Sequence, residues 1–148
     1  MGKTIGIDLG TTNSVVAVVG AYGPERNRFG RISVLADEVG RTIQASAICE
    51  VDGKLVFGDD GKRLAAEGRK PSRFWKRDMG KGITFPLLGK QVKPQELSRR
   101  LLEYLSQIAA KAMGEDVDAA VIAHPAYFGG DAILATAEAG NGADLKVG

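Results

Sequence analysis

The residues whose types and spacing suit chemistry lie close to the amino terminus. There Ile5-Gly6-Ile7-Asp8-Leu9-Gly10-Thr11-Thr12-Asn13-Ser14 sets a carboxylate two positions before a glycine and a pair of threonines. A sharp bend at Gly10 lets successive backbone N–H groups point into one concavity, an anion-binding nest. The missing side chain of Gly10 admits close approach of a phosphate, and the hydroxyls of Thr11 and Thr12 add donors. Hydrogen bonds to a charged group contribute ~1.5–3 kcal/mol each, so three or four give useful phosphate affinity. Asp8 would repel a bare phosphate. A Mg²⁺ between them, held by Asp8 directly or through water, removes the conflict. The competing reading is an ordinary hairpin with a Gly-Thr-Thr turn and an exposed aspartate. The rival phosphate motifs, G-x-x-x-x-G-K-[ST] and a strand followed by G-x-G-x-x-G, do not occur.

Strands must deliver these groups. Thr4 to Leu9 is short and apolar, and Ser14 to Val19 is rich in valine, so the first twenty residues predict a hairpin closed by Gly10–Asn13. Near-continuous hydrophobicity predicts burial on both faces. Arg31 to Leu35 is a candidate third strand of a meander. From Asp37 to Gly89 short pieces alternate with glycines and charges, which predicts an inserted subdomain with little regular structure. Within it, Ala45–Val51 and Lys54–Phe57 form a hairpin around Asp52-Gly53. Lys62–Glu67 is a short helix, and Lys70 to Gly82 is strongly basic. Pro94 to Met113 is the clearest helix, with Leu97, Leu101, Leu105, Ile108 and Ala112 in one stripe, Pro94 at its start and Gly114 as C-cap. Val117 to Ala123 predicts a buried strand stopped by Pro125, and Asp131 caps a last helix running towards Gly140.

Composition excludes several classes. The chain has 148 residues, with 20 Lys and Arg against 18 Asp and Glu, a balance too even to indicate nucleic acid or a membrane surface. A domain near this size buries about 68–70% of its unfolded surface, so a real core is available. The single cysteine, Cys49, cannot form an internal disulfide. The single histidine, His124, rules out a two-histidine zinc site, and any Ser-His-Asp triad would have to include it. No apolar stretch approaches the ~20 residues of a membrane span, and the first residues carry no signal-peptide core. The expectation is a cytoplasmic protein.

Ile5 to Val18 resembles the first phosphate motif of the DnaK-type heat-shock chaperones, members of the actin and sugar-kinase superfamily. Val117 to Gly140 is similar to that family's V-P-A-Y-F strand-to-helix segment. Phe74-Trp75-Lys76-Arg77-Asp78-Met79-Gly80 resembles its lysine motif, in the form of the shorter, HscC-like branch. The resemblance implies an α/β fold of the ribonuclease-H-like or actin-like ATPase lobe type, a mixed β-sheet with helices and an inserted small α+β subdomain. Its core layer would cover 1–38 and 115–148, and its insert 39–114. It implies ATP or ADP with Mg²⁺ as ligands. Asp8 would sit by the metal, and Gly10, Thr11, Thr12 and Asn13 would line the phosphate loop, with Thr11 near the γ-phosphate. Lys76 would reach that phosphate from the insert and orient the attacking water, where otherwise it is one of a solvated basic run with Lys70, Arg73 and Arg77. Pro125 would be the switch proline.

The implied function is the amino-terminal part of a chaperone ATPase domain that couples hydrolysis to protein-folding assistance. Its implied partners are J-domain proteins and nucleotide-exchange factors, with unfolded clients held by another domain. The family's second phosphate loop, D-L-G-G-G-T, does not occur between Met1 and Gly148, so weak nucleotide binding and no hydrolysis are expected of this chain alone. Departures lie at His124, Gly129, Gly130, Ile133, Ala137, Gly142 and Asp144, and they bear on interdomain coupling and on the last helix. The alternatives are an interaction module that binds co-chaperones or self-associates through an uncovered cleft face, and a sugar-kinase-like phosphotransferase.

Overall fold

The computed structural model describes residues 3–19, 32–123, 136, 138–141 and 146–147. Strands β1 (Lys3–Leu9) and β2 (Asn13–Val19) run antiparallel, with Leu9 opposite Ser14, so the chain reverses within the four residues Gly10–Asn13. Both β3 (Ile32–Val34) and the two-residue β4 (Gln44–Ala45) pair antiparallel with β2. Strands β5 (Ala47–Val51) and β6 (Lys54–Phe57) form the hairpin expected around Asp52 and Gly53, which take φ of 51° and 77°. Helix α1 (Gly58–Arg63) continues into a 3₁₀ turn, Leu64–Glu67. Strand β7 (Ser72–Arg73) pairs with β5 and leads into a second 3₁₀ turn, Trp75–Asp78. A small hairpin, β8 (Phe85–Leu87) with β9 (Lys90–Val92), precedes helix α2 (Pro94–Met113). Strand β10 (Val117–Ala123) then lies parallel to β1, and β11 (Lys146–Val147) lies parallel to β10. The result is a mixed α/β fold whose main sheet runs β11-β10-β1-β2-β3, with β4 attached to β2.

Helix α2 forms as its pattern requires. Pro94 needs no N–H partner in the first turn, and Gly114 closes the helix at φ 67°. Leu97, Leu101, Leu105 and Ile108 are buried as expected, and Leu102 and Ala109 widen the stripe. They share one cluster with Ile5, Ile7 and Leu9 of β1, Val16 and Val18 of β2, Ile48, Trp75 and Ile122. Fully burying a large aliphatic side chain contributes ~1.5–3 kcal/mol, so this shared cluster dominates the stability of the described chain.

Four expectations need correction. Burial of β1 on both faces fails: Ile5, Ile7 and Leu9 are sealed, but Thr4 and Asp8 on the other face are exposed. Likewise β10 is buried on one face only, and Val121 is 56% exposed. Alternation of small residues on the open face made both strands read as continuously apolar. The 37–89 stretch is also more regular than its glycines imply, because short strands there gain partners from β2 and β5. Its helix begins at Gly58 rather than Lys62, with Asp59 and Asp60 in the first turn, where the helix dipole favours them. Of the last predicted helix, Thr136 and residues 138–141 are helical. His124, Pro125, Gly129, Gly130, Ile133, Gly142 and Asp144 lie outside the described residues, as does Ala137.

Candidate functional site

Asp8 arrives at the bend on the exposed face of β1 because Ile7 and Leu9 commit the alternate face to the core. Asp8 itself is exposed. The bend itself is tighter than its sequence suggests. A Cβ on Gly10 would stand 2.0 Å from the carbonyl oxygen of Asn13, far inside any real contact. Glycine is therefore demanded by the bend's own backbone, whatever approaches from outside. Thr11 is half-buried, and Thr12 and Asn13 are exposed.

Lys76 comes from the 3₁₀ turn Trp75–Asp78, and its setting separates it from the basic run around it. Lys70 and Arg77 are exposed, but Lys76 is 4% exposed. The turn is pinned from below. Trp75, 2% exposed, donates its indole N–H to the Ser98 hydroxyl on α2 at 3.0 Å, and that hydroxyl donates to the Met79 sulfur at 3.4 Å. Phe74 enters the turn at φ 61°, a strained value for a bulky residue, with the Arg73 and Arg77 guanidinium groups 4.6 and 5.3 Å from its ring centre. Burial pushes the Lys76 ammonium below its ordinary pKa, and the negative charge of Asp8 pulls it partly back. The structure thus brings Asp8 near enough for its charge to act on Lys76, although 67 intervening residues separate them.

The sign of that shift yields a prediction. Lys76 has a folded pKa below its unfolded one, so the fold disfavours its charged form. Stability is full above the unfolded pKa and is lost as pH falls through the folded one, so the cost is present at neutral pH. Asp8 is solvated and needs no buried counterion. Lys76→Met should therefore raise the thermal midpoint at pH 7 by about 2–4 °C, the effect of ~1 kcal/mol in a chain this size. The difference should close in melts run above the ordinary lysine pKa. A lower midpoint for the variant at pH 7 would show that the polar contacts of Lys76 outweigh its desolvation.

Sequence reasoning missed the residues that hold the bend. Asp37 accepts hydrogen bonds from the backbone N–H groups of Val39 and Arg41 and from the Arg41 side chain, which rigidifies the turn before β4. Burial works to raise the Asp37 pKa, but these donors leave it lowered. From that turn β4 runs alongside the start of β2, pairing Ala45 with Asn13, and delivers Ser46 to the bend. The single available signal was Ser14, a polar residue sharing the buried face of Val16 and Val18, which implies a buried partner.

Together these elements define an α/β sheet protein whose first strand ends in an acidic, glycine-dependent bend beside a buried lysine. Residues 72–148, which include Lys76, match the Hsp70 protein family. The chain is also similar to the chaperone protein DnaK of Mycoplasmopsis synoviae (strain 53), with 36% identity over 143 residues. That alignment takes in 97% of this chain and 23% of the relative, so the chain spans about a quarter of the curated relative's length. The chain belongs to the Hsp70 family.

Proposed function

We propose that Asp8, the bend Gly10–Asn13 and Lys76 form one wall of a Mg²⁺-dependent ATP or ADP phosphate site, on a lobe of the ribonuclease-H-like, actin-like ATPase type. The observation that carries this reading is the buried Lys76 ammonium held beside the exposed Asp8 carboxylate. The carboxylate fits a divalent cation. Among the described residues no three acids, histidines or cysteines cluster to hold a metal unaided, so Asp8 would share the ion with water and phosphate oxygens, as Mg²⁺ prefers. The bound ion would supply charge neutralisation between Asp8 and the phosphates.

In this reading the backbone N–H groups of the bend and the Thr11 hydroxyl bind and orient the phosphates. Lys76 neutralises charge on the terminal one and orients the attacking water. Pro125, two residues beyond Ala123 in sequence, serves as the switch proline. Residues 1–38 and 115–148 form the core layer and 39–114 the insert, although both contribute to one hydrophobic cluster. Within a whole chaperone the site would couple hydrolysis to protein-folding assistance, with J-domain proteins and exchange factors as partners.

Calorimetric titration of Mg·ATP tests the proposal. The wild-type chain should bind weakly, because the facing half of a two-loop site is not supplied by these residues. Asp8→Ala should reduce the affinity about tenfold or more, the loss of one charged contact. Equal heats for both chains, or Mg²⁺-independent binding, would remove the role given to Asp8.

A further inference from the structure

Ser46, from outside the bend, bonds to the bend's backbone at two places. Its hydroxyl donates to the carbonyl oxygen of Gly10 at 2.7 Å, and its backbone N–H donates to the carbonyl oxygen of Thr12 at 2.8 Å. The Ser14 and Ser46 hydroxyl oxygens lie 2.8 Å apart. A hydroxyl carries one proton. Since Ser46 uses its proton on Gly10, Ser14 must be the donor between the two serines. Ser14 and Ser46 are 0% and 3% exposed, so the two hydroxyls are shielded from water, while Gly10 is half-buried and Thr12 exposed.

The direction of these bonds has a chemical consequence. In a planar trans peptide the N–H of each residue points opposite to the preceding carbonyl. Ser46 draws the Gly10 and Thr12 carbonyls to its own side, which turns the Thr11 and Asn13 N–H groups to the other. A four-residue bend left to itself can rotate these peptide units. Clasped at two alternate carbonyls, it presents two amides pointing away from Ser46, and repulsive carbonyl oxygens are withdrawn from that side. We propose that Ser46 is a positioning residue that aims the Thr11 and Asn13 amides at a polyphosphate ligand. The inference deepens the phosphate-site reading above and rests on it. It also makes the insert, rather than the hairpin alone, responsible for the competence of the bend.

The test is amide and carbonyl NMR on the 148-residue chain, first without ligand and then with Mg²⁺·tripolyphosphate. In Ser46→Ala the Gly10 carbonyl carbon should shift upfield and the Thr11 amide should move, while amides of α2 stay in place. Tripolyphosphate should then bind about tenfold more weakly than to wild type, the loss expected when charged hydrogen bonds are misaimed. Ser46→Thr, which keeps the hydroxyl, should restore most of the affinity. Should the alanine variant fold poorly, Ser46→Cys supplies a near-isosteric side chain with a weak donor and should behave as alanine does. An unchanged Gly10 carbonyl, or a tripolyphosphate affinity in Ser46→Ala and Ser46→Cys equal to wild type, overturns the inference and leaves the phosphate-site reading standing. A wild-type chain with no tripolyphosphate response overturns that reading, and the use given to the aimed amides falls with it.

Discussion

Gly10→Ala is expected to destabilise the chain by about 3 kcal/mol, at the upper end of the usual cost of forcing added atoms into a filled site. The added methyl would meet the Asn13 carbonyl oxygen at 2.0 Å, and the neighbour is backbone, not a side chain that can swing away. Relief requires opening the bend, which would strip Ser46 of its two carbonyl partners and unpair Leu9 from Ser14. The cost is steric: Gly10 is not in the left-handed region, so asparagine would rescue nothing. Gly53 offers the contrast, with φ +77° and open space where a methyl would stand, so substitution there strains the backbone without a collision. Urea unfolding followed by circular dichroism measures the difference. A Gly10→Ala chain within about 0.5 kcal/mol of wild type, the range of ordinary surface changes, would mean that the bend relaxes easily and does not need glycine.

Trp75→Ala should cost about as much or more, ~3–5 kcal/mol, the range for removing a buried aromatic. Trp75 belongs to the same cluster as the α2 leucines, and its indole N–H reaches the fully buried Ser98 hydroxyl. Truncation leaves a cavity and removes the floor beneath Lys76, so the lysine would lose its fixed approach to Asp8 as well. Trp75→Phe separates the two contributions, because it keeps most of the apolar volume and deletes only the donor; it should cost about 1 kcal/mol. Arg77→Ala, one residue beyond Lys76 but exposed, should stay within about 0.5 kcal/mol. Trp75 is the only tryptophan, so these variants are followed by circular dichroism and not by fluorescence. A Trp75→Ala midpoint close to that of Arg77→Ala would contradict the packing described for this turn.

Much of the scaffold is legible from the chain alone. Helix α2 announces itself because Pro94, the leucine stripe and Gly114 are all local signals along one continuous segment. The hairpin β1–β2 is equally plain, since two short apolar, β-branched runs broken by Gly-Thr-Thr have few other solutions, although which of their faces turns inward is not read from them. The second hairpin follows from Asp52-Gly53, where the turn type demands positive φ at both positions. The start of α1 is misplaced by sequence reasoning because its first turn holds Gly58 and Gly61, residues that argue against a helix. Gly61 is there because a Cβ would meet the Val56 carbonyl at 2.4 Å as the helix presses onto β6.

For the site, the division is sharper. Asp8, Gly10 and the threonines are visible because strand and bend are neighbours in sequence, and local chemistry reads locally. The sequence also determined the family through three short motifs. It could not tell that Lys76 is buried while Arg77 is not, because both sit in one basic run and their burial depends on a 3₁₀ turn seated on Ser98 of a distant helix. Nor could it show that Ser46 grips the bend, since that contact joins residues 36 positions apart through a two-residue strand too short to carry a pattern. Hydrophobic periodicity specifies which face of each element turns inward. Which polar groups then meet across elements is decided only when the shared core fixes those elements against one another.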